Sequence, residues 1–127
     1  MLKAVIVDGN AISRGLLNTV LIDAGYEVAG PVHTGSLGLV LVQKHCPQLV
    51  CIAQDQLEDG PQIVEQIRAA LPKTIIFMVS GAIDAPTLQA ALGRGVHGFI
   101  VKPFKAATVL KTIRNTVLAM VKKQHGA

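Results

Sequence analysis

Aromatic side chains are scarce in this sequence, which contains one Tyr, three Phe and no Trp among 127 residues. A platform that stacks single-stranded nucleic acid needs several exposed rings, so the composition disfavours that function. Long hydrophobic runs are also missing, because no stretch of about 18 uncharged apolar residues occurs. A strand pattern begins directly after Met1, Leu2 and Lys3, which leaves no room for a signal peptide. We therefore expect a cytoplasmic protein with no membrane span.

Metal-binding, redox and catalytic motifs are also missing. The two cysteines, Cys46 and Cys51, do not form a CxxC pair and are expected to be free thiols buried in the core. No pair of histidines has a zinc-type spacing; the four are His33, His45, His97 and His125. The sequence has no Walker loop and no Gly-x-Ser-x-Gly elbow, so we do not predict an enzyme.

Acidic residues are missing from the last 43 positions, since all eight lie between Asp8 and Asp84. The same 43 positions carry seven basic residues, so the C-terminal third forms a positive surface. One interpretation is a solvated helix face with a basic tail. Another is a docking face for an acidic protein partner. Nucleic acid is disfavoured because no recognition motif accompanies the charge.

Short apolar runs alternate with helical patterns along the whole chain. The pattern predicts strands at 4–7, 26–29, 49–53, 74–79 and 98–101, and helices at 10–24, 36–45, 61–71, 85–92 and 105–123. Five β-strands that alternate with helices indicate one α/β domain over 1–127, with a parallel sheet covered by helices on both faces. Ligands of such sheets bind beyond the carboxyl ends of the strands.

Polar residues follow four of the predicted strands. Asp8 follows the first strand, Ser80 the fourth and Lys102 the fifth, while Gln54 and Asp55 come after the third. Because the carboxyl ends of parallel strands share one edge, we expect a carboxylate, a hydroxyl and an ammonium to meet there.

Several ordered segments resemble the receiver domains of two-component signalling. They are Val5-Ile6-Val7-Asp8, Pro47-Gln48-Leu49-Val50, Asp59-Gly60 with Ile63 and Ile67-Arg68, Ser80, and Lys102-Pro103-Phe104. The resemblance extends from Lys3 to about Val121. It implies a three-layer α/β/α, flavodoxin-like (βα)5 fold with a five-stranded parallel sheet in the order 2-1-3-4-5.

The resemblance also implies roles for individual residues. In this family an aspartate at the end of the third strand accepts a phosphoryl group, and acids after the first strand hold Mg²⁺. By similarity, Asp8 is a metal-site acid, Ser80 is the switch hydroxyl and Lys102 is the lysine that pairs with the phosphoryl group. Phe99 occupies the place of the aromatic residue that changes rotamer with the hydroxyl.

The sequence departs from the family at the acidic site. Gly9 stands where a second acid is usual, and the acceptor position falls on Ala53 or Gln54, depending on which flanking motif is used for counting. Asp55 lies one or two residues later, and it reaches the site only if the strand end is rearranged. We expect weak Mg²⁺ binding through Asp8 and Asp55, and a fixed ion pair between Asp8 and Lys102.

The function predicted from these features is that of a stand-alone receiver domain in phosphorelay signalling that binds proteins without being phosphorylated. The expected partner is a sensor histidine kinase, a histidine phosphotransfer protein or an effector protein, bound through residues 85–123. The apolar stripe of the last helix also permits a homodimer. Two alternatives remain open: a phospho-switch that uses Asp55, and a flavodoxin-like small-molecule binder. The second is disfavoured because Asp8 would repel a phosphate group at the first loop.

Overall fold

The elements follow one another as the alternating pattern predicts, with one addition. A computed structural model describes residues 2–58 and 62–125. The elements in chain order are β1 (Lys3–Val7), α1 (Ala11–Asp23), β2 (Glu27–Val32), α2 (Gly35–His45), β3 (Leu49–Ala53), α3 (Gln54–Glu58), α4 (Ile63–Ala70), β4 (Ile75–Ser80), α5 (Ala85–Arg94), β5 (Gly98–Val101) and α6 (Ala106–His125). Helix α3 is the addition.

The five strands form one parallel sheet in the order β2-β1-β3-β4-β5. Strand β3 is buried along its whole length, and β1 and β4 are buried except at their first residues. Side chains of successive strand residues point to opposite faces of the sheet. They form two separate hydrophobic clusters, one containing Ile52 and Met78 and the other containing Ile6 and Phe77. The fold class, the sheet order and the layers on both faces were correctly predicted.

Helix ends follow the capping chemistry of the sequence. The Asn10 side chain accepts a hydrogen bond from the Ser13 N–H at 3.0 Å and caps α1. Gly25, which follows that helix, has a φ of 95°, a conformation that favours glycine. The helix predicted at 61–71 is observed as Ile63–Ala70, and Pro61 lies outside the described residues.

The second strand was predicted too short. We expected it to end before Gly30 and Pro31, but β2 continues through both residues to Val32. The register with β1 shifts between Ala4 and Ile6, and Gly30 has a φ of 105°. A bulge at glycine and a proline are tolerated because β2 is an edge strand, whose outer hydrogen-bonding side has no partner strand.

Among the described residues, no helix has the length and apolarity needed to cross a bilayer. Of the two cysteines, Cys51 is fully buried in β3, whereas Cys46 is exposed at the end of α2, contrary to the expected burial of both. Cys46 adopts a left-handed conformation with a φ of 47° as it closes α2, which carries its side chain away from the core. Burial raises the pKa of the Cys51 thiol to about 12.

Candidate functional site

A polar cavity of about 380 Å³ lies at the carboxyl edge of the sheet, where the sequence predicted a site. Strand ends and the loops that follow them supply its walls: Asp8, Asn10, Ala53, Gln54, Asp55, Val79, Ser80, Gly81 and Lys102. The parallel register explains the convergence, since β1, β3, β4 and β5 all end at this edge. Four segments that are distant in sequence therefore meet in one cleft.

Asp8 and Lys102 form an ion pair across the cavity. The Lys102 Nζ atom lies 3.1 Å from Asp8 Oδ2, and the two side chains are 25% and 4% exposed, respectively. The other carboxylate oxygen, Oδ1, accepts a hydrogen bond from the Asn10 N–H at 2.9 Å. Within the described part of the chain, Oδ2 makes no hydrogen bond of standard geometry, so the lysine charge is what compensates its burial.

Ser80 is held by the residue that begins α3. Its hydroxyl donates to the Gln54 Oε1 atom at 2.5 Å and accepts from the Ala82 N–H at 3.2 Å. Ser80 is 8% exposed, so the hydroxyl needs these partners. The sequence indicated Ser80 as a site residue but gave no sign that Gln54 would bind it.

The three residues of the acceptor region have different environments. Ala53 is buried at the end of β3, where it pairs in register with Val79 of β4. Gln54 is half-buried, and Asp55 is exposed in the first turn of α3. No carboxylate therefore extends from the buried end of β3.

Asp55 leans toward the first loop. The ion pair of Lys102 that the structure describes is with Asp8 and not with Asp55. The Asp55 Oδ2 atom accepts a long hydrogen bond of 3.4 Å from Gln56 Nε2. It also lies 3.8 Å from where a Cβ on Gly9 would be, next to the place of the missing second acid. The rearranged strand end considered above is thus a short helix, but it does not bring Asp55 into an ion pair with Lys102.

Gln56 is a further residue that the sequence pattern did not identify. It is 9% exposed, and its Oε1 atom accepts a hydrogen bond from the Gly35 N–H, at the start of α2, at 3.1 Å. Its Nε2 atom would be 3.5 Å from a Cβ on Gly9. The glutamine amide therefore occupies space beside the first loop and ties α3 to α2.

Phe99 lies on β5 beside Met78 of β4 and is half-buried against the cluster that contains Met78. A half-buried ring at this position can serve as a core residue, and the role of a rotamer switch, which the resemblance implies, stays a prediction. The Asp59-Gly60 segment of the resemblance lies outside the described residues.

The residues present do not fit a dedicated Mg²⁺ site. Magnesium needs several hard oxygen ligands, and here the buried Asp8 oxygen already faces an ammonium group. No cluster of three or more His, Cys, Asp or Glu side chains suited to a metal occurs among residues 2–57 and 62–122. The neutral contacts of Ser80 and the internal pair of Lys102 need no metal.

The comparisons with known proteins agree with this geometry. The sequence model of the response regulator receiver domain matches residues 4–114. The chemotaxis protein CheY of Bacillus subtilis is 29% identical over 116 residues, which span 91% of this chain and 97% of that protein.

Solved structures show the same fold. The chemotaxis response regulator CheY4 of Vibrio cholerae is 27% identical with a TM-score of 0.82, covering 91% of this chain and 98% of that one. A complex of CheX and CheY with BeF3 and Mg²⁺ from Borrelia burgdorferi has a TM-score of 0.82 at 19% identity, covering 91% of this chain and 89% of the matched chain. Because the family match spans most of the chain, this protein belongs to the response regulator receiver family of two-component signalling.

Proposed function

We propose that this receiver domain binds a partner protein in a single conformation, without being phosphorylated. The observation that carries the proposal is the pair of internal contacts at the cavity, Ser80 to Gln54 and Lys102 to Asp8. In the family, the equivalent hydroxyl and lysine bind the phosphoryl group. Here the Ser80 hydroxyl and the Lys102 ammonium group both have partners within the chain, so neither needs a phosphoryl group as a partner.

Helix α3 supports the proposal because it ties together the elements that would have to move. Gln54 at its start binds Ser80 of β4, and Gln56 binds the first residue of α2. Hydrogen bonds of buried side chains contribute about 1 kcal/mol each, and breaking one leaves an unsatisfied group. A population shift needs a differential interaction with two states, and these contacts favour one state only.

Receiver domains are signalling modules rather than enzymes, and we propose no catalytic residue in this chain. Its partner would be a sensor histidine kinase, a histidine phosphotransfer protein or an effector protein that contacts residues 85–123. Cytoplasmic location, a single domain over 1–127 and a homodimer stay predictions. Flavin binding has no support from the family assignment.

Mg²⁺ binding would be weak, with Asp8 and Asp55 as the protein ligands. The lysine that faces Asp8 competes with the cation for the same carboxylate oxygen. We expect half-saturation at millimolar Mg²⁺ or above in an isothermal titration. Binding well below millimolar would contradict this proposal.

A phospho-switch through Asp55 is the second candidate, because that carboxylate lines the same cavity as Lys102. Acetyl phosphate with Mg²⁺, followed by intact-protein mass spectrometry, separates the two. We expect no mass gain for the native chain and none for Asp55→Asn. A gain of one phosphoryl group that Asp55→Asn abolishes would establish the switch and overturn the phosphorylation-independent function.

A further inference from the structure

The outer surface of α6 combines positive charge with exposed apolar side chains. Five of its residues define a surface that we call the α6 ridge: Lys111, Arg114, Leu118, Val121 and Lys122. All five are exposed, with Leu118 52% and Val121 45% accessible to solvent. At about 100° per residue they fall within an arc of roughly 100° of the helix. The ridge is therefore one continuous strip.

The opposite face of α6 is committed to the core. Val109 and Ile113 are 1% and 3% exposed, and Val117 packs against the same hydrophobic cluster, the one that contains Phe77. An amphipathic helix that binds a membrane inserts its broad apolar face into the lipid. Because the sheet already covers that face of α6, the apolar surface that α6 offers a partner is the narrow, charged ridge rather than a broad apolar face.

The positive charges of the ridge have no acidic neighbours on α6. No acidic residue occurs after Asp84, so no i,i+4 partner on α6 neutralises Lys111, Arg114 or Lys122. A complementary surface must therefore be acidic. It must also be apolar in part, because Leu118 lies between the cations along the helix and would face the partner. A nucleic-acid backbone offers charge to the lysines but little apolar surface to Leu118.

We propose that the α6 ridge docks an acidic amphipathic helix of a partner protein, with the Leu118 and Val121 side chains against apolar residues of that helix. Carboxylates of the partner helix pair with Lys111, Arg114 and Lys122. The inference rests on the proposed function, since a module without a phosphoacceptor passes a signal by contact alone. It names the chemistry of the partner, which the family assignment does not provide.

A designed peptide probe tests the ridge. The probe is a fluorescent helix of about 16 residues with Leu at i, i+3, i+4 and i+7 positions and Glu on the remaining face. Its control is a scrambled peptide of identical composition, which keeps the charge but has no apolar stripe. By fluorescence anisotropy at low salt, we expect the amphipathic probe to bind at least tenfold more tightly than the scrambled one. Raising the ionic strength to about 0.5 M should weaken its binding because screening shortens the reach of the charges.

Charge-reversal variants locate the contact. Lys111→Glu with Lys122→Glu should weaken the probe at least tenfold. The matched variant, Lys44→Glu with Lys73→Glu, reverses two exposed lysines elsewhere and has the same net charge, so it should change affinity less than threefold. Leu118→Ser should weaken the amphipathic probe by about threefold or more, with no effect on the scrambled peptide. Thermal unfolding of each variant checks that it is folded.

Three outcomes overturn the inference: equal binding of both peptides, equal losses in the two double variants, or tighter binding to a DNA duplex or to anionic vesicles. Repeating the titration with beryllofluoride and Mg²⁺ separates this test from that of the proposed function. A beryllofluoride effect on affinity with the ridge variants still impaired would contradict only the proposed function. Binding that is indifferent to both beryllofluoride and the ridge charges would contradict only the ridge.

Discussion

Along β1, β3 and β4 the buried side chains are almost all aliphatic, whereas the carboxyl edge of the sheet carries polar residues in pairs, Asp8 with Lys102 and Gln54 with Ser80. The two regions depend on different properties of the sequence. The strand interior needs only apolar side chains of suitable size, and many combinations satisfy that need. The carboxyl edge needs particular functional groups at particular positions.

The contrast explains how the family fold persists with an altered site. Ala53 and Gln54 remove the carboxylate from the end of β3, yet the register with β4 continues through Ala53 to Val79. The receiver fold is therefore kept in a chain whose third strand ends without a carboxylate.

The largest loss of stability is expected from a substitution in the hydrophobic core. Phe77 is fully buried in β4, and its ring fills the space above Gly98, where a Cβ would be 2.7 Å from Phe77 Cε1. Phe77→Ala should lower the free energy of unfolding by about 3–5 kcal/mol, measured by urea denaturation. Phe77→Leu should lose less because it leaves a smaller cavity. A loss below about 1 kcal/mol for the alanine variant would contradict the packing described.

A smaller loss of stability is expected when the ion pair between Asp8 and Lys102 is broken. Lys102→Met leaves the Asp8 charge buried without compensation, which should destabilise the fold by about 1–3 kcal/mol, allowing for the partial exposure of the lysine. Lys105→Met, at an exposed neighbouring lysine, is the control and should change stability by less than about 0.5 kcal/mol.

A double variant sharpens this prediction. Asp8→Asn with Lys102→Met removes both charges and should be more stable than Lys102→Met alone. Equal stability of the single and double variants would show that the burial of Asp8 is not compensated by Lys102.

The hydrogen bond between Ser80 and Gln54, at the start of α3, should contribute less to stability than the ion pair. Gln54→Ala removes the Oε1 acceptor of Ser80 and should cost about 0.5–1.5 kcal/mol by urea denaturation. Combined with Ser80→Ala, the losses should not add, since both variants break the same bond. Gln43→Ala, an exposed glutamine on α2, is the matched control and should be nearly neutral. Additive losses would indicate that Gln54 and Ser80 act separately.

The smallest effect is expected at Glu65, which lies outside the hydrophobic core and the polar cavity. It is a change in the pH dependence of stability. Arg94 Nε and Nη2 donate to the two Glu65 carboxylate oxygens at 2.9 and 3.0 Å, and these hydrogen bonds lower the pKa of Glu65 below its ordinary 4.5. A lowered folded-state pKa stabilises the protein above pH 4.5, and this contribution is lost as the pH falls through the folded-state pKa.

The contribution is less than about 1 kcal/mol because Glu65 is 40% exposed. Glu65→Gln should therefore be slightly less stable than the native chain at pH 7, and the difference should shrink as the pH falls below 4.5. Urea denaturation at several pH values measures the difference. A difference that grows as the pH falls would contradict the assigned direction.

The same contrast separates what the sequence predicted from what it did not. Short continuous apolar runs that alternate with helical patterns predicted the parallel sheet, and parallel geometry predicted that Asp8 and Lys102 would meet. These inferences rest on backbone topology, which many residues determine together. The meeting of the two charged groups is observed as an ion pair.

The features that the sequence did not predict depend on single side chains or on short segments. Helix α3 is five residues long and has no periodicity that a sequence pattern could reveal. The bonds from Gln54 to Ser80 and from Gln56 to Gly35 join positions 26 and 21 residues apart, and only the three-dimensional fold brings them together. The continuation of β2 through Gly30 and Pro31 was missed because both residues usually end a strand.

Ser80 and Lys102 already have partners within the chain, and the proposed function depends on these two contacts. A two-dimensional amide NMR titration with beryllofluoride and Mg²⁺ tests it directly, because it reports on the loops after β4 and β5 separately. With Mg²⁺ alone as the reference, we expect added beryllofluoride to leave the Gly81 and Lys102 amide signals in place. Saturable shifts of both signals, absent in Asp55→Asn, would contradict a phosphorylation-independent function and identify a working phosphoryl site.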